Sequence, residues 1–274
     1  MPNWLGRPDH PLATGISRPG KTRQGGPVPE SGVTLWVDSK NHNGVGDGDG
    51  YTFENQDNPA CPQDATATAM KVLILGGGGH ASVVADILAA CAGVSVLGYI
   101  APEPPPGQVD LVGLPRLGDE AAIATIAHDG VVVAIGDNRV RMEVAERLTA
   151  QGETLVSAIH PSAVIAPGVA MGPGCMVCAG VVVNPGATIG RNTILNTGCT
   201  VDHHCVLGDH VHIAPGVNLA GGVTVGNGAF IGIGACVIPG VTLGQWVVVG
   251  AGAAVIRDVG AGRSVVGVPA RERT

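Results

Sequence analysis

Four histidines, His203, His204, His210 and His212, fall within ten residues of a chain that carries nine. A neutral imidazole exchanges protons near pH 7, and several imidazoles together can ligate zinc. A lone histidine of this kind reads as a solvated corner residue; four this close point to function. A second cue comes earlier. The apolar run Lys71-Val72-Leu73-Ile74-Leu75 leads into Gly76-Gly77-Gly78-Gly79-His80, a glycine turn that opens a helix. Such a turn offers amide donors and a positive dipole end to a phosphate. A comparable turn, Gly136-Asp137-Asn138, follows an apolar run at 131–135. Two glycine turns at the C-terminal ends of strands in one sheet place a ligand crevice between them. Cys175 and Cys178 form a lone CxxC with no second pair at zinc-ribbon spacing, so they read as small core and turn residues.

The elements that must carry the histidines are set by a repeat. From Ala163 the sequence runs through sixteen hexads without an insertion, AVIAPG, VAMGPG, CMVCAG and onward to AAVIRD, ending at Asp258. Position three is Ile, Leu, Val or Met in every hexad, and position one is small or β-branched. This register specifies a hexapeptide β-helix, with positions one and three pointing into the interior. Position six is Gly or Asn in twelve of the sixteen, as a corner with positive φ requires. The exceptions are His204, His210, Trp246 and Asp258. The last two lie near the end of the array, where caps are irregular. The two histidines interrupt it mid-prism, where a broken local rule marks function.

Before the repeat, strands alternate with helices: a strand at 71–75, a helix to about Ala90, a strand at 94–100, and a helix at about 119–127 capped by Asp119. A strand at 131–135, a helix to about Thr149 and a strand at 154–159 complete the pattern. It predicts a small parallel, Rossmann-like α/β domain over 70–159, ahead of a β-helix with a C-terminal cap over 160–274. Residues 1–69 lack hydrophobic periodicity and read as a disordered leader, with Met70 as the functional start. The Asp47-Gly48-Asp49-Gly50 run does not meet calcium-loop spacing.

Composition narrows the function. A net charge of −7 and few aromatics argue against nucleic acid as a partner. No basic n-region with an apolar h-region opens the chain, so a secretory signal is not expected, and seven cysteines, an odd number, fit a reduced cytoplasmic protein. The apolar stretch 81–101 contains Asp86 and two glycines, and reads as a helix plus a strand rather than a membrane span.

The order GGGGHASVVADIL, VAIGDNRVR, IHPSAVIAPG, NTGCTVDHHCVLGDHVHIAPG and VVGVPAR strongly resembles the left-handed β-helix sugar acyltransferases over residues 70–274. These include sialic acid O-acetyltransferases, perosamine N-acetyltransferases and the bacillosamine-pathway N-acetyltransferase. The resemblance implies direct acetyl transfer from acetyl-CoA to an amino or hydroxyl group of a nucleotide-linked sugar, in surface glycan biosynthesis, with no metal. It implies His203 as general base and His212, Ile233 and Ala251 at the acetyl-CoA. Gly78, Gly79, His80 and Gly136 fall at the nucleotide sugar. It also implies a homotrimer with acyl-CoA clefts between prisms, in keeping with the flat faces of a thin prism. Two positions depart from the family pattern. Where relatives carry a carboxylate that raises the basicity of the histidine, this chain has His204. Where relatives carry paired aspartates after the second strand, it has Ala101-Pro102-Glu103.

Two other readings use the same prism. A zinc enzyme similar to the γ-class carbonic anhydrases needs a histidine one or two coils from a close pair, and His160 does not fall there. A non-catalytic binding module predicts no thioester turnover and tolerance of His203→Ala.

Overall fold

A six-residue period allows only a short strand before each turn, and the prism is built that way. In a computed structural model, which describes residues 69–102, 111 and 113–273, every hexad contributes a two-residue strand at positions two and three, from Val164–Ile165 to Ala254–Val255. Up to Cys236–Val237, each strand pairs in parallel with the one eighteen residues on, as Ile194–Leu195 does with His212–Ile213. Three hexads therefore make one coil, and the strands stack into a six-stranded, a five-stranded and an eight-stranded face. The eight-stranded face begins with Ala158–Ile159 and ends with the antiparallel pair Ser264–Val266 and Arg271–Glu272.

Positions one and three are buried from Cys175 onward, as at Cys199 and Val201 or Val211 and Ile213. Each such aliphatic side chain contributes roughly 1.5–3 kcal/mol on burial. Position six takes positive φ at its glycines, and also at Asn192 (52°), His204 (57°), His210 (59°) and Trp246 (57°). A side chain there costs roughly 1–2 kcal/mol, so the two histidines and the tryptophan are held against a local preference.

The N-terminal part is a four-stranded parallel sheet in the order β3-β2-β1-β4, formed by β1 (Met70–Leu75), β2 (Val94–Ile100), β3 (Arg116–Gly118) and β4 (Gly130–Val133). Helix α1 (Gly79–Ala89) follows β1, and α2 (Asn138–Ala150) follows β4. Strand alternation sorts the core. Val72 and Ile74 join α1 and the interior of the prism in one continuous cluster. Leu73 and Leu75 face α2 with Val144 and Leu148.

Three details differ from the sequence expectations. The helix expected at about 119–127 is a 3-10 turn, Glu120–Thr125; Asp119 caps it, but it buries only Ile123 and has no apolar stripe to extend it. The strand expected at 154–159 shrinks to Ala158–Ile159, which pairs with Met176–Val177 of the prism; one bridge, Val131 to Leu155, ties this segment to the α/β sheet. Edge strand β3 was not anticipated. The stretch 81–101 divides into α1 and β2, and among the described residues no helix is long and apolar enough to cross a membrane. The disordered reading of the leader and the comparison with a calcium loop lie outside the described residues.

Candidate active site

His203 and His204 occupy the corner between the six-stranded and five-stranded faces, after Thr200–Val201 and before Val206–Leu207. Both are exposed. Neighbours on an extended chain point to opposite sides, but the positive φ of His204 swings its ring alongside that of His203. Their Nδ1 atoms lie 3.0 Å apart and the rings meet edge to face at 5.2 Å. The coils above and below leave room. A β-carbon on Gly221 would run into the His203 ring, and one on Gly186 would press on His204. Asp202 is turned elsewhere: its Oδ1 accepts from the His203 amide (2.7 Å) and from Asn184 Nδ2 (2.9 Å). Those two donors hold its carboxyl below the usual range.

His210 and His212 are not part of that pair. His212 lies within the eight-stranded face, opposite the His203 corner, because nine residues are half of an eighteen-residue coil. The α/β part covers this face. His212 Nδ1–H donates to the Gly136 carbonyl (3.3 Å), and Asn196 Nδ2 donates to its Nε2 (3.2 Å). Phe230 meets the ring edge to face at 5.2 Å, and the His80 ring lies 6.3 Å away. His80 Nε2 approaches Met176 Sδ at 3.3 Å. Burial, and then the Arg141 charge, push both His80 and His212 down to about 4. These two rings are therefore neutral at pH 7. His210 is buried against Asn192 and is also lowered, chiefly by burial.

Arg141 holds the junction together. It is fully buried and donates to the carbonyls of Ile135, Gly136, Asn192, His210 and Val211, and to Asn138 Oδ1. Asn138 Nδ2 in turn donates to the carbonyls of Gly228 and Ala229. Arg139 lies over the Trp246 ring, 4.2 Å from its centre. The turn at Gly136 is thereby locked to the prism beside His212.

The two glycine turns end the adjacent strands β1 and β4, on one edge of the sheet. Gly76, at φ 137°, lets the first turn approach the second; a β-carbon there would sit 2.5 Å from the Ala134 carbonyl oxygen. Gly78, Gly79 and Gly136 face open space. No side chain caps α1 at Gly78, whereas Asp137 caps α2 through the amides of Arg139 and Val140. The uncapped N-terminus of α1 is thus the better place for an anion.

Ile233 and Ala251 stack one coil apart at the corner between the eight-stranded and six-stranded faces, Ile233 with 60% of its surface exposed. The six-stranded face between that corner and the His203 corner carries a cleft of about 560 Å³ lined by Asn184, Thr200, Asp202, Asn218 and Ile238 among others. Burial pushes the Cys175 and Cys178 thiols up to about 12 and 11, so the CxxC is an inert piece of core. Among the described residues no group of three or more His, Cys, Asp or Glu is placed to hold a metal ion.

Sequence reasoning missed Gly221 and Arg141, though each left a signal. Gly221 is the first of a glycine pair one coil beyond His203. Arg141 shares the helical spacing of the buried residues Asn138, Val144, Ala145 and Leu148.

The PglD N-terminal domain family matches residues 71–148, and the bacterial transferase hexapeptide family (six repeats) matches residues 186–221. No curated protein matches the chain. Among solved structures, a mutant of GDP-perosamine N-acetyltransferase from Caulobacter crescentus, in complex with CoA and GDP-perosamine, is 44% identical; the alignment covers 74% of this chain and 97% of that one, with a TM-score of 0.71. The acetyltransferase domain of PglB from Neisseria gonorrhoeae, in complex with acetyl coenzyme A, is 34% identical over 75% of this chain and all of that one, with a TM-score of 0.71. WeeI from Acinetobacter baumannii is 25% identical over 75% of this chain and all of its own, with a TM-score of 0.64. With a PglD-type α/β part set on a hexapeptide prism and this identity along nearly the whole perosamine enzyme, the chain belongs to the left-handed β-helix sugar acetyltransferases.

Proposed function

We propose that the protein transfers the acetyl group of acetyl-CoA to the amine of a nucleotide-linked amino sugar. The observation that carries this reading is the 44% identity to an N-acetyltransferase crystallised with CoA and GDP-perosamine. The site chemistry supports it. Gly78, Gly79 and His80 at the uncapped end of α1 receive the diphosphate, and Gly136 borders the sugar. Ile233 and Ala251 line the acetyl-CoA with His212, whose ring nitrogens are already engaged by Gly136 and Asn196, so it meets the donor through its faces and edges.

His203 is the general base. Its Nε2 takes the proton from the sugar nitrogen as the lone pair attacks the thioester carbonyl. The C–S bond then breaks, and the proton passes to the departing CoA sulfur. His204 modulates the basicity of His203, and no metal takes part. Because His203 and His212 lie on opposite sides of one prism, a site that uses both is built from two copies. We therefore assign a homotrimer in which the corner of one prism faces the junction of the next, with exposed Val164, Val206 and Ile238 as contact residues. The domain limits at 70–159 and 160–274, a cytoplasmic location and a role in surface glycan assembly belong to the same proposal.

The test is release of CoA thiol from acetyl-CoA with a panel of nucleotide-linked amino sugars, their hydroxyl counterparts and free sialic acid. Turnover with an amino sugar, and a trimer by light scattering, are expected. A monomer, or turnover confined to hydroxyl acceptors, would overturn the reading.

A further inference from the structure

A histidine can act as base through Nε2 only when its own proton sits on Nδ1, and an imidazole in water prefers the opposite tautomer. In an exposed ring both tautomers exchange in water, and a fixed acceptor for the His203 Nδ1–H would select the productive one. The neighbouring carboxylate is not that acceptor: Asp202 Oδ1 is spent on the His203 amide and Asn184. The atom within reach of His203 Nδ1 is His204 Nδ1, at 3.0 Å. Of two facing nitrogens one donates and the other accepts. Only donation from His203 to His204 leaves the His203 Nε2 lone pair free.

We infer that His204 is a positioning residue whose Nδ1 lone pair accepts the His203 Nδ1–H, fixing His203 in the tautomer that presents Nε2 to the substrate. This rests on the assignment of His203 as base, and it explains why a bulky residue is kept at a corner with φ 57° where the repeat prefers glycine. During transfer His203 Nε2 gains the proton of the sugar nitrogen, and the resulting charge is shared along the Nδ1–H···Nδ1 bond. The proton leaves Nε2 again when the CoA sulfur takes it up, so both rings return to their starting state. An uncharged acceptor fixes the same tautomer as a carboxylate while leaving the corner without a further negative charge.

The repeat itself suggests two variants, since Asn and Gly are the residues it accepts at position six with positive φ. His204→Asn keeps an acceptor oxygen near His203, and His204→Gly removes it. The experiment is ¹⁵N-histidine NMR of the full chain near pH 8, with long-range couplings reporting which ring nitrogen carries the proton and His203→Ala assigning the signals. The native protein is expected to show His203 protonated on Nδ1 and His204 on Nε2. His204→Asn should keep the His203 tautomer and most of kcat. His204→Gly should move the His203 proton to Nε2 and lower kcat about 10–100-fold with little change in KM for acetyl-CoA. A native His203 protonated on Nε2, or a tautomer unchanged in His204→Gly, overturns the inference. The NMR result requires no turnover, so failure to acetylate any amino sugar counts against the proposed function and not against the hydrogen bond.

Discussion

The His203 corner and the His212 junction come from one stretch of sequence and occupy opposite environments. At the corner two rings stand in solvent, tied to each other and to little else. At the junction His212 and His80 sit beneath the α/β part, beside a buried arginine, and are driven to about 4. The same residue type is thus prepared for two tasks. The exposed pair is open to solvent and to a substrate, and the buried pair is fixed in the neutral state, where it can shape a site but not titrate at pH 7. Proximity in sequence did not make one cluster, because half a coil separates a corner from the opposite face.

The largest effect should come from removing the ring proposed as the base. His203→Ala is expected to lower kcat about 10²–10⁴-fold and leave KM for acetyl-CoA largely unchanged; near-native turnover would put the base elsewhere.

Next is the arginine that defines the junction. Arg141→Met strips hydrogen bonds from several buried carbonyls, and should destabilise the fold by about 3 kcal/mol or more. Urea denaturation measures this, and an unchanged midpoint would show that the junction does not depend on the guanidinium.

The neutral state of the buried pair can be read from stability against pH. The folded values of His80 and His212 lie below the ordinary 6.5, so the unfolded chain binds more protons as pH falls. Their contribution is whole above pH 6.5 and is lost progressively toward about 4, by roughly 1–2 kcal/mol for each ring at pH 5. His210, lowered from the same ordinary 6.5, adds to the loss in this window, whereas Glu120 and Asp202, also lowered, begin to contribute only near and below their ordinary 4.5 and 3.8. A urea midpoint that stays level from pH 7 to pH 5 would contradict the buried neutral pair.

The smallest change is a single methyl at the corner. Gly221→Ala is compatible with the backbone but displaces the His203 ring, and should cost about tenfold in kcat with little shift in Tm. Activity equal to native would mean that His203 works from another rotamer.

Much of this is legible in the sequence. The prism follows from a period of six, because positions one and three must share a side and position six must turn the corner. Even the exceptions at His204, His210 and Trp246 obey the backbone rule that they break in sequence. The two glycine turns read correctly as neighbours on one sheet edge. The handover near residue 154 was less legible, since Ala158–Ile159 suits either sheet and only pairing partners decide between them.

The sequence by itself determined the coil, its inward residues, the strand–turn–helix units and the residue types available for proton transfer, because each depends on local periodicity. Tertiary structure alone decided which face of the prism the α/β part covers. That packing buries Arg141, keeps His80 and His212 neutral and leaves His203 and His204 in solvent, since burial and hydrogen-bond partners are set by contacts between residues far apart in the chain. A column of larger outward side chains, Met176, Ile194, His212 and Phe230, marks the covered face, but only the packed structure shows what they meet.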